Sequence, residues 1–414
     1  MDITSNIPLA HIQMTFTHPP PALFTIEDLE DTYKWIVKLR KDYSDNSDIW
    51  FLCRDWKHIK DSMLATLNDG SYEFSPLNRY EFTDGIMSLW SSQDMMVLKL
   101  ITKVLGERMA DHIPKSCYHV KGHGGLKKAV HHTQDALPEY QYVMRSDIQG
   151  YYQSIRFDSL METIECYVNH PILLILIRNA CHRTETTGGN FYDYNEKGIP
   201  KGSPLSPLLG AIALIPLDKA LGNINDVFYS RFMDDWIVLT KSKSALRKVV
   251  KLTHGILNAL KLKLHPQKTF IGKISNGFNF LAYYMDGKII LPAKETIRRL
   301  HERASVLYEQ SQDTSPISRP RRKYCSDTRD ISLYQVNEEA PTNAYFQTGL
   351  TNLMNLASSR PDTLAKLRRY VDKWARWLRL GLSSVKAFEE SVQTQLPGIS
   401  SCWIPGNQQC HLLG

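Results

Sequence analysis

Two adjacent carboxylates, Asp234 and Asp235, lie within the otherwise apolar stretch YSRFMDDWIVLT, residues 229–240. The flanking residues are typical of two paired strands, so the two aspartates fall at the turn of a hairpin. Burying an ionised carboxylate without a partner costs several kcal/mol. A solvated turn is one explanation, because turns favour Asp. A bound cation is the other.

A third carboxylate, Asp147, ends the predicted strand YVMRSD, residues 142–147, and precedes Asp234 by 87 residues. If the two strands share a sheet, the carboxylates could converge, and they would then raise one another's pKa unless a divalent cation supplied positive charge. Mg²⁺ prefers oxygen ligands and completes its shell with waters and phosphates. The pattern therefore indicates in-line displacement at phosphorus with two metals about 4 Å apart.

Five segments in order resemble the motifs of reverse transcriptases. RSDIQGYYQSI resembles their first palm motif, GIPKGSPLSPLLG their template- and nucleotide-positioning motif, and FMDD the signature that carries two metal-binding aspartates. LHPQKTFIG and GFNFLAYY resemble the lysine-bearing segment and the primer-grip hairpin that follow. Five ordered motifs are much more specific than one. The resemblance is closest to bacterial reverse transcriptases of the group II intron, retron and defence-associated kind.

The resemblance covers about residues 70–290 and implies an α+β, right-hand polymerase fold. Fingers and palm would combine an RRM-like antiparallel sheet with helices, and an α-helical thumb would follow. The expected domains are an N-terminal helical extension (1–70), fingers and palm (71–290), and a helical thumb with a C-terminal extension (291–414). Composition agrees with a globular protein, since 43% of residues are hydrophobic and 22% charged.

The resemblance also implies roles for individual residues. Metal ligation would fall to Asp147, Ile148 and Asp234, with Asp235 beside them, and Lys268 would protonate or steady departing pyrophosphate. Tyr152 would be an aromatic gate that crowds a ribose 2′-hydroxyl, with core packing as the alternative. The other implied nucleotide contacts are Ile148, Tyr151, Pro200, Lys201 and Gly202. The implied primer grip consists of Phe280, Leu281 and Tyr283, for which core packing is again the alternative.

The sequence departs from the family pattern at several positions. Lys201 replaces a common Gln, Phe232 replaces the usual Tyr of the signature, and Ala282 replaces a common Gly. A cation at position 201 could contact template phosphate or the triphosphate, which would change template dependence or fidelity. The Arg-Pro-Leu triplet of the fingers is missing, which leaves Arg79 and Lys99 as candidates for the triphosphate contact.

Basic residues suggest two further nucleic-acid contacts, within a formal net charge of +7. Lys121 and Lys127 flank the Gly-rich backbone of CYHVKGHGGLKKAV, where a phosphate could approach, and His123 there has no partner at metal-ligand spacing. The helix KLRRYVDKWARWLRL interleaves cations with aromatic rings, as a nucleic-acid groove requires. Its candidate contacts are Arg369, Lys373 and Arg376.

Local patterns predict the elements that must position these residues. Thr25 and Asp28 form a capping box before a helix, and Asn68-Asp69-Gly70 ends a second helix. Ser203 and Pro204 are expected to be the N-cap and first residue of an apolar helix kinked at Pro216. Further expected elements are a helix over 244–260, a hairpin turning at Asp286-Gly287, and a helix beginning AKETIRRLHERASVLYEQ.

The expected cofactor is Mg²⁺, with Mn²⁺ as an alternative ion. The expected partners are an RNA template, which could be a cognate non-coding RNA, a DNA product and dNTPs, with a protein partner or a second copy also open. No apolar run reaches the roughly 18 residues of a membrane span, and the N-terminus lacks a signal-peptide pattern. The seven scattered cysteines include no C-x-x-C pair, which favours a reducing compartment, the cytoplasm.

The sequence therefore predicts an RNA-directed DNA polymerase. One alternative is an enzyme that extends DNA without a template or uses other nucleotides, and another is a catalytically silent nucleic-acid-binding scaffold. No Cys/His-rich endonuclease module follows the expected thumb, and the Val-Thr-Gly segment of retron enzymes is not found. By elimination, a role in bacterial antiphage defence is the hypothesis for biology.

Overall fold

The computed structural model describes residues 22–82, 85–194, 196–199, 202–287 and 290–310, together with positions 362, 365, 366 and 369. Its elements begin with helices α1 (Ile26–Leu39) and α2 (Asp48–Asp69). The predicted capping box at Thr25 and Asp28 is present, and Gly70 ends α2 in the left-handed conformation with φ 81°. Both helices pack on α3 (Ser92–Met109) through one apolar stripe each.

A first sheet has the strand order β2-β1-β4-β5. Its strands are β1 (Leu77–Phe82), β2 (Gly85–Leu89), β4 (Arg183–Thr187) and β5 (Asn190–Tyr194). Neighbouring pairs are antiparallel except for β1 with β4, which run parallel. Between β2 and β4 the chain forms helix α3, one strand of a second, central sheet and four more helices. The two sheets are therefore interleaved along the sequence.

The central sheet is fully antiparallel with the order β6-β7-β3-β8. Its strands are β3 (Tyr142–Ser146), β6 (Val227–Phe232), β7 (Asp235–Thr240) and β8 (Phe270–Lys273). Alternate side chains separate the faces: Met144 and Val238 enter the main core, whereas Val143 and Leu239 enter a second core. The remaining helices before β8 are α4 (Gly125–Ala136), α5 (Tyr151–Ser154), α6 (Phe157–Glu165), α7 (Pro171–Cys181), α8 (Ser206–Ala213), α9 (Ile215–Gly222) and α10 (Lys243–Ala259).

The apolar helix after the GIPKGSP segment differs from its prediction. It begins at Ser206, not at Pro204, because the Ser203 hydroxyl accepts the Leu205 N–H at 3.1 Å in a turn that precedes the helix. It also breaks instead of kinking, since α8 ends at Ala213 and α9 begins at Ile215. Pro216 lies in the first turn of α9, where its missing N–H needs no partner.

The last sheet also differs from its prediction, because it has three strands: β9 (Phe278–Phe280), β10 (Tyr283–Met285) and β11 (Ile290–Pro292). The expected turn at Asp286-Gly287 leads from β10 towards β11, and an additional turn at Leu281 and Ala282 joins β9 to β10. Both residues of this additional turn have positive φ, 48° and 75°, which costs a non-glycine residue roughly 1 kcal/mol or more. The expected helix follows as α11 (Lys294–Gln310).

The α+β class is confirmed: an antiparallel sheet carries most of the helices on one face, and helix α4 with the small β9-β10-β11 sheet on the other. Of the expected thumb and C-terminal extension, α11 and four isolated positions are described, and the rest lies outside the described residues. Within the described part of the chain, no helix has the length and apolarity required to cross a membrane.

Candidate active site

The three predicted carboxylates meet at one end of the central sheet. Asp147 directly follows β3, and Asp235 is the first residue of β7, the antiparallel neighbour of β3. Asp234 lies in the two-residue turn between Phe232 and Asp235, which are paired across the hairpin. Because Ser146 lies opposite Trp236, the register brings the residues that follow β3 beside those that begin β7.

The carboxylates perturb one another. Burial and the nearby Asp147 carboxylate raise the pKa of Asp234 above its ordinary value. Burial also raises the pKa of Asp235 to about 6, although the Arg145 guanidinium acts in the opposite direction. Arg145 donates to both oxygens of Asp235 at 3.2 and 3.3 Å. The cluster therefore has negative charge that its protein surroundings do not fully compensate.

Lys268 lies over this cluster. Its Nζ is 2.7 Å from Oδ2 of Asp147, and its side chain is 51% exposed. The turn Pro266–Lys268 is fixed to the end of β3, because the His265 N–H donates to the Asp147 carbonyl at 2.8 Å and Arg145 Nη1 donates to the Lys268 carbonyl at 2.9 Å. The lysine is thus held against the carboxylate while its amine stays accessible to solvent.

The donor set of the site fits Mg²⁺ binding. Asp147 and Asp234 offer carboxylate oxygens, and Ile148 could contribute only its carbonyl, because its side chain is buried. Among the described residues, no group of three or more His, Cys, Asp or Glu side chains is placed to hold a metal. Mg²⁺ does not require such a group, since it commonly binds one or two carboxylates and takes its other ligands from water and substrate phosphates. The repulsion between Asp147 and Asp234 is what a dication would relieve.

Two adjacent tyrosines pack on Gly210 of α8. A Cβ at this position would lie 3.2 Å from a ring carbon of Tyr151 and 3.2 Å from one of Tyr152. Both rings can therefore pack this closely because residue 210 is glycine. Tyr151 is buried and its hydroxyl donates to the Gly210 carbonyl, which places it in the core and not on an open surface. Tyr152 is half-buried, and burial together with the Asp234 charge raises the pKa of its hydroxyl.

The predicted nucleotide contacts outside the cluster are separated from one another. Gly202 is exposed with φ 84° and open space where a Cβ would stand, whereas Pro200 and Lys201 lie outside the described residues. Arg79 of β1 stacks its guanidinium on the Tyr192 ring at 4.2 Å. Lys99 of α3 places its Nζ 5.4 Å from the centre of the Trp35 ring of α1, so it joins two N-terminal helices.

The side chains assigned to the primer grip belong to the second core. Phe280 and Tyr283 are fully buried and Leu281 is 8% exposed, so these side chains pack in the second core, and the role of their hairpin as a primer grip stays a prediction. Lys127 donates to the Tyr283 hydroxyl at 2.6 Å, and burial lowers the pKa of this lysine to about 8. The predicted nucleic-acid contact of Lys127 is thereby directed into the protein.

The remaining basic candidates are distributed as follows. Lys121 is exposed, and His123 is buried with its Nδ1 2.9 Å from the Cys117 carbonyl, which makes it a structural residue of that loop. Arg369 is a described helical position and is exposed. Lys373 and Arg376 lie outside the described residues.

Sequence reasoning missed the groups that hold the turn of the FMDD signature. Met233 has φ 58°, an uncommon conformation for a residue with a side chain. Its N–H donates to Nδ1 of His119 at 2.9 Å, and its carbonyl accepts from Nη1 of Arg231 at 2.7 Å. Arg231 forms a fully buried ion pair with Asp218 of α9. The available signal was a charged residue within each of two largely apolar runs, Asp218 in IPLDKALG and Arg231 in VFYSRF.

Residues 89–285 match the family model described as reverse transcriptase (RNA-dependent DNA polymerase). Among curated proteins, Protein YkfC of Escherichia coli (strain K12) is 23% identical over 177 residues, which cover 34% of this chain and 46% of YkfC. The chain thus matches less than half of that relative's length. The matched family range runs from the end of β2 to the end of β10 and includes the whole central sheet.

Among solved structures, a telomerase from Candida albicans in complex with a fragment of telomeric RNA has a TM-score of 0.48 and 10% identity, covering 84% of this chain and 68% of the telomerase. An apo telomerase from Candida tropicalis has a TM-score of 0.40 and 15% identity over 49% of this chain and 48% of its own. A partial Cas6-RT-Cas1–Cas2 complex has a TM-score of 0.35 and 21% identity over 58% and 42%.

Residues 89–285 are thus similar to reverse transcriptase domains, and the described elements form the expected α+β polymerase fold. The matched range includes all five sequence motifs, and Asp147, Asp234 and Asp235 lie within it.

Proposed function

We propose that the protein is an RNA-directed DNA polymerase that transfers nucleotidyl groups from dNTPs to a primer 3′-hydroxyl. The observation that carries this proposal is the meeting of Asp147 and Asp234 at one sheet end, inside a domain that matches reverse transcriptases. A half-buried carboxylate whose pKa is raised by a neighbouring carboxylate, as that of Asp234 is by Asp147, is poorly suited to a purely structural role and well suited to binding divalent cations.

In this proposal Asp147, Asp234 and the Ile148 carbonyl hold Mg²⁺, or Mn²⁺ in its place. When bound, the ions activate the attacking hydroxyl and neutralise charge on the phosphates. Asp235 has a different task. It is engaged by Arg145, whose second contact is the Lys268 carbonyl, so this ion pair ties the signature turn to the lysine-bearing turn.

Lys268 is the proposed proton donor to departing pyrophosphate. Its exposed amine needs only to leave Asp147 and turn towards a phosphate, which a surface ion pair allows at little cost. Tyr152 is the proposed gate for the sugar, because its half-buried ring lies near Asp234 and is fixed against Gly210. Removing the ring, as in Tyr152→Ala, should therefore increase rNTP incorporation relative to dNTP.

The template requirement is tested with purified full-length protein, Mg²⁺ and labelled dNTPs. The reactions contain no nucleic acid, a primed RNA template or a primed DNA template of the same sequence, and the products are sequenced. Complementary DNA on the RNA template supports the proposal. A repetitive product without any template favours the template-independent alternative, and absence of product across many templates in the presence of Mg²⁺ or Mn²⁺ contradicts polymerase function and favours a binding scaffold.

We further propose a role in bacterial antiphage defence, with a structured RNA or a protein as partner. This proposal rests on the resemblance of the sequence motifs to bacterial reverse transcriptases of the group II intron, retron and defence-associated kind. Deleting the gene should raise the plating efficiency of some phages on the host. Equal plating of a broad phage panel on wild-type and deleted hosts would contradict it.

A further inference from the structure

The backbone of Met233 is held on both sides of its Cα, at the N–H and at the carbonyl. His119 accepts its N–H at 2.9 Å, and Arg231 donates to its carbonyl at 2.7 Å. Such a left-handed residue costs about 1–3 kcal/mol and persists only where its surroundings fix it. Met233 directly precedes Asp234, so these two hydrogen bonds determine where the backbone presents that carboxylate.

His119 reaches Met233 through a short backbone pairing. Cys117 forms an isolated parallel bridge with Arg231, in which the Arg231 N–H donates to the Ser116 carbonyl and the Tyr118 N–H donates to the Arg231 carbonyl, both at 2.9 Å. The segment before His119 therefore runs beside the end of β6. The ring of His119 then meets Phe232 edge-on, with centroids 5.8 Å apart.

The second ring nitrogen of His119 contacts a different element. Nε2 is 3.1 Å from the carbonyl of Pro207, in the first turn of α8. Because Nδ1 accepts the Met233 N–H, Nε2 must carry the proton and donate, which is one neutral tautomer of imidazole. Burial and the Arg231 charge lower the pKa of His119 to about 4, so the ring stays neutral near pH 7.

We propose that His119 is a positioning residue for catalysis, which fixes the turn that bears Asp234 against helix α8. The same helix carries Gly210, on which Tyr152 rests, so one imidazole connects the metal-binding turn to the proposed sugar gate. This inference rests on the proposed polymerase function for its kinetic consequence. Its structural consequence, the placement of Asp234 for a cation, can be measured without turnover.

Arg231 holds the carbonyl of the same residue, but its removal would leave Asp218 unpaired in the core and would confound positioning with folding. His119 allows a cleaner test, because two polar replacements separate its two bonds. His119→Asn places an amide oxygen near Nδ1 and can keep the Met233 bond. His119→Gln places its amide near Nε2 and can keep the Pro207 bond, and His119→Phe removes both while keeping the aromatic contact with Phe232.

The experiment measures single-nucleotide incorporation and Mn²⁺ affinity by EPR for the full chain and the three variants. We expect kcat to fall at least tenfold in His119→Phe and His119→Gln, with KM for dNTP changed less than threefold. His119→Asn should recover nearly the full kcat. The affinity for Mn²⁺ should be weakened severalfold in the Phe and Gln variants and nearly recovered in the Asn variant. Equal kcat and equal Mn²⁺ affinity in the Asn and Gln variants would overturn the proposal, even if the Phe variant does not fold.

The two proposals fail in distinguishable ways. A wild-type protein that binds Mn²⁺ but incorporates no nucleotide contradicts the polymerase function, and the EPR comparison of Asn with Gln still decides the role of His119. A wild-type polymerase whose Gln variant keeps full kcat and Mn²⁺ affinity contradicts the role of His119 alone.

Discussion

Two of the carboxylate–cation pairs at this site, Asp218 with Arg231 and Asp147 with Lys268, differ in their access to water. Asp218 and Arg231 are both 0% exposed, and Asp218 also accepts the Tyr229 hydroxyl at 2.6 Å. Asp147 pairs with Lys268, whose side chain is 51% exposed. The chemistry of the two pairs is alike, but only the exposed pair can separate without leaving a charge in a dry interior. The buried Asp218–Arg231 pair can therefore only stabilise the site, whereas the exposed Asp147–Lys268 pair can separate during a reaction.

The buried pair acts on the reactive one through the backbone. Arg231 donates to the carbonyl of Met233 and to that of Ala211 in α8, so it joins the signature turn to the helix behind it. The exposed pair is held by Arg145, which contacts Asp235 and the Lys268 carbonyl. Each pair thus belongs to a network that converges on the two-residue turn of Met233 and Asp234.

The largest expected effect is on the buried pair. Asp218→Asn removes the countercharge of Arg231 and should lower the free energy of unfolding by about 3–5 kcal/mol, because an uncompensated charge then stays buried. Urea unfolding followed by circular dichroism measures it. A loss below about 1 kcal/mol would show that Arg231 finds other compensation and that the comparison between the two pairs is wrong.

The exposed pair should show the opposite behaviour. Lys268→Ala is expected to change the free energy of unfolding by less than about 1 kcal/mol, as for exposed ion pairs generally. It should lower kcat about 100-fold, because a proton donor to pyrophosphate is lost. Unfolding and single-turnover incorporation are measured on the same preparation, and Lys268→Arg serves as the charge-preserving control. Full kcat in the Ala variant would leave Lys268 without a catalytic role.

The third expectation concerns pH. The pKa of His119 lies at about 4 in the fold, below its ordinary value of 6.5, because of burial and the charges of Arg231 and His123. The unfolded chain then binds more protons between these values, so the contribution of His119 is complete above pH 6.5 and is lost as pH falls towards 4. Relative to His119→Asn, wild-type unfolding free energy should fall by roughly 3 kcal/mol across this window. Parallel curves for the two proteins would contradict a neutral His119.

The smallest expected effect is a gain. Ala282 has φ 75° in the turn between β9 and β10, and Ala282→Gly should raise the free energy of unfolding by about 0.5–1 kcal/mol by removing left-handed strain. The same substitution at Ala245, in helix α10, should lower it by about 1 kcal/mol. If both variants lose stability, the Ala282 conformation is not the source of strain inferred here.

The sequence predicted the reactive part of the site better than its support. Asp147, Asp234 and Lys268 belong to ordered motifs, and strand alternation with turn chemistry placed them at strand ends. The support depends on partners far apart in the chain, such as Asp218 with Arg231 or His119 with Met233. In the sequence, each member of such a pair is only a polar or charged residue within a largely apolar segment. Nothing local shows which distant residue it will contact.

Local ambiguity explains the other differences. Ser203 followed by Pro204 satisfies the rules for a helix start and for a turn equally well, and the structure uses it as a turn before α8. Phe280 and Tyr283 have the alternation of a strand whichever side they face, so burial in the second core could not be separated from contact with a primer.

Metal-dependent catalysis at the turn that bears Asp234 is tested most directly by measuring Mg²⁺-dependent incorporation of one dNTP by Asp234→Asn, with Asp226→Asn as the control variant. The control makes the same substitution at Asp226, an exposed residue that directly precedes β6 and forms an ion pair with Lys241. Primed RNA and DNA templates are both supplied. We expect Asp234→Asn to incorporate the dNTP at least 1000-fold more slowly than wild type while its free energy of unfolding stays at the wild-type value. Asp226→Asn should incorporate at the wild-type rate. Incorporation by Asp234→Asn within tenfold of wild type would contradict metal-dependent catalysis at this turn.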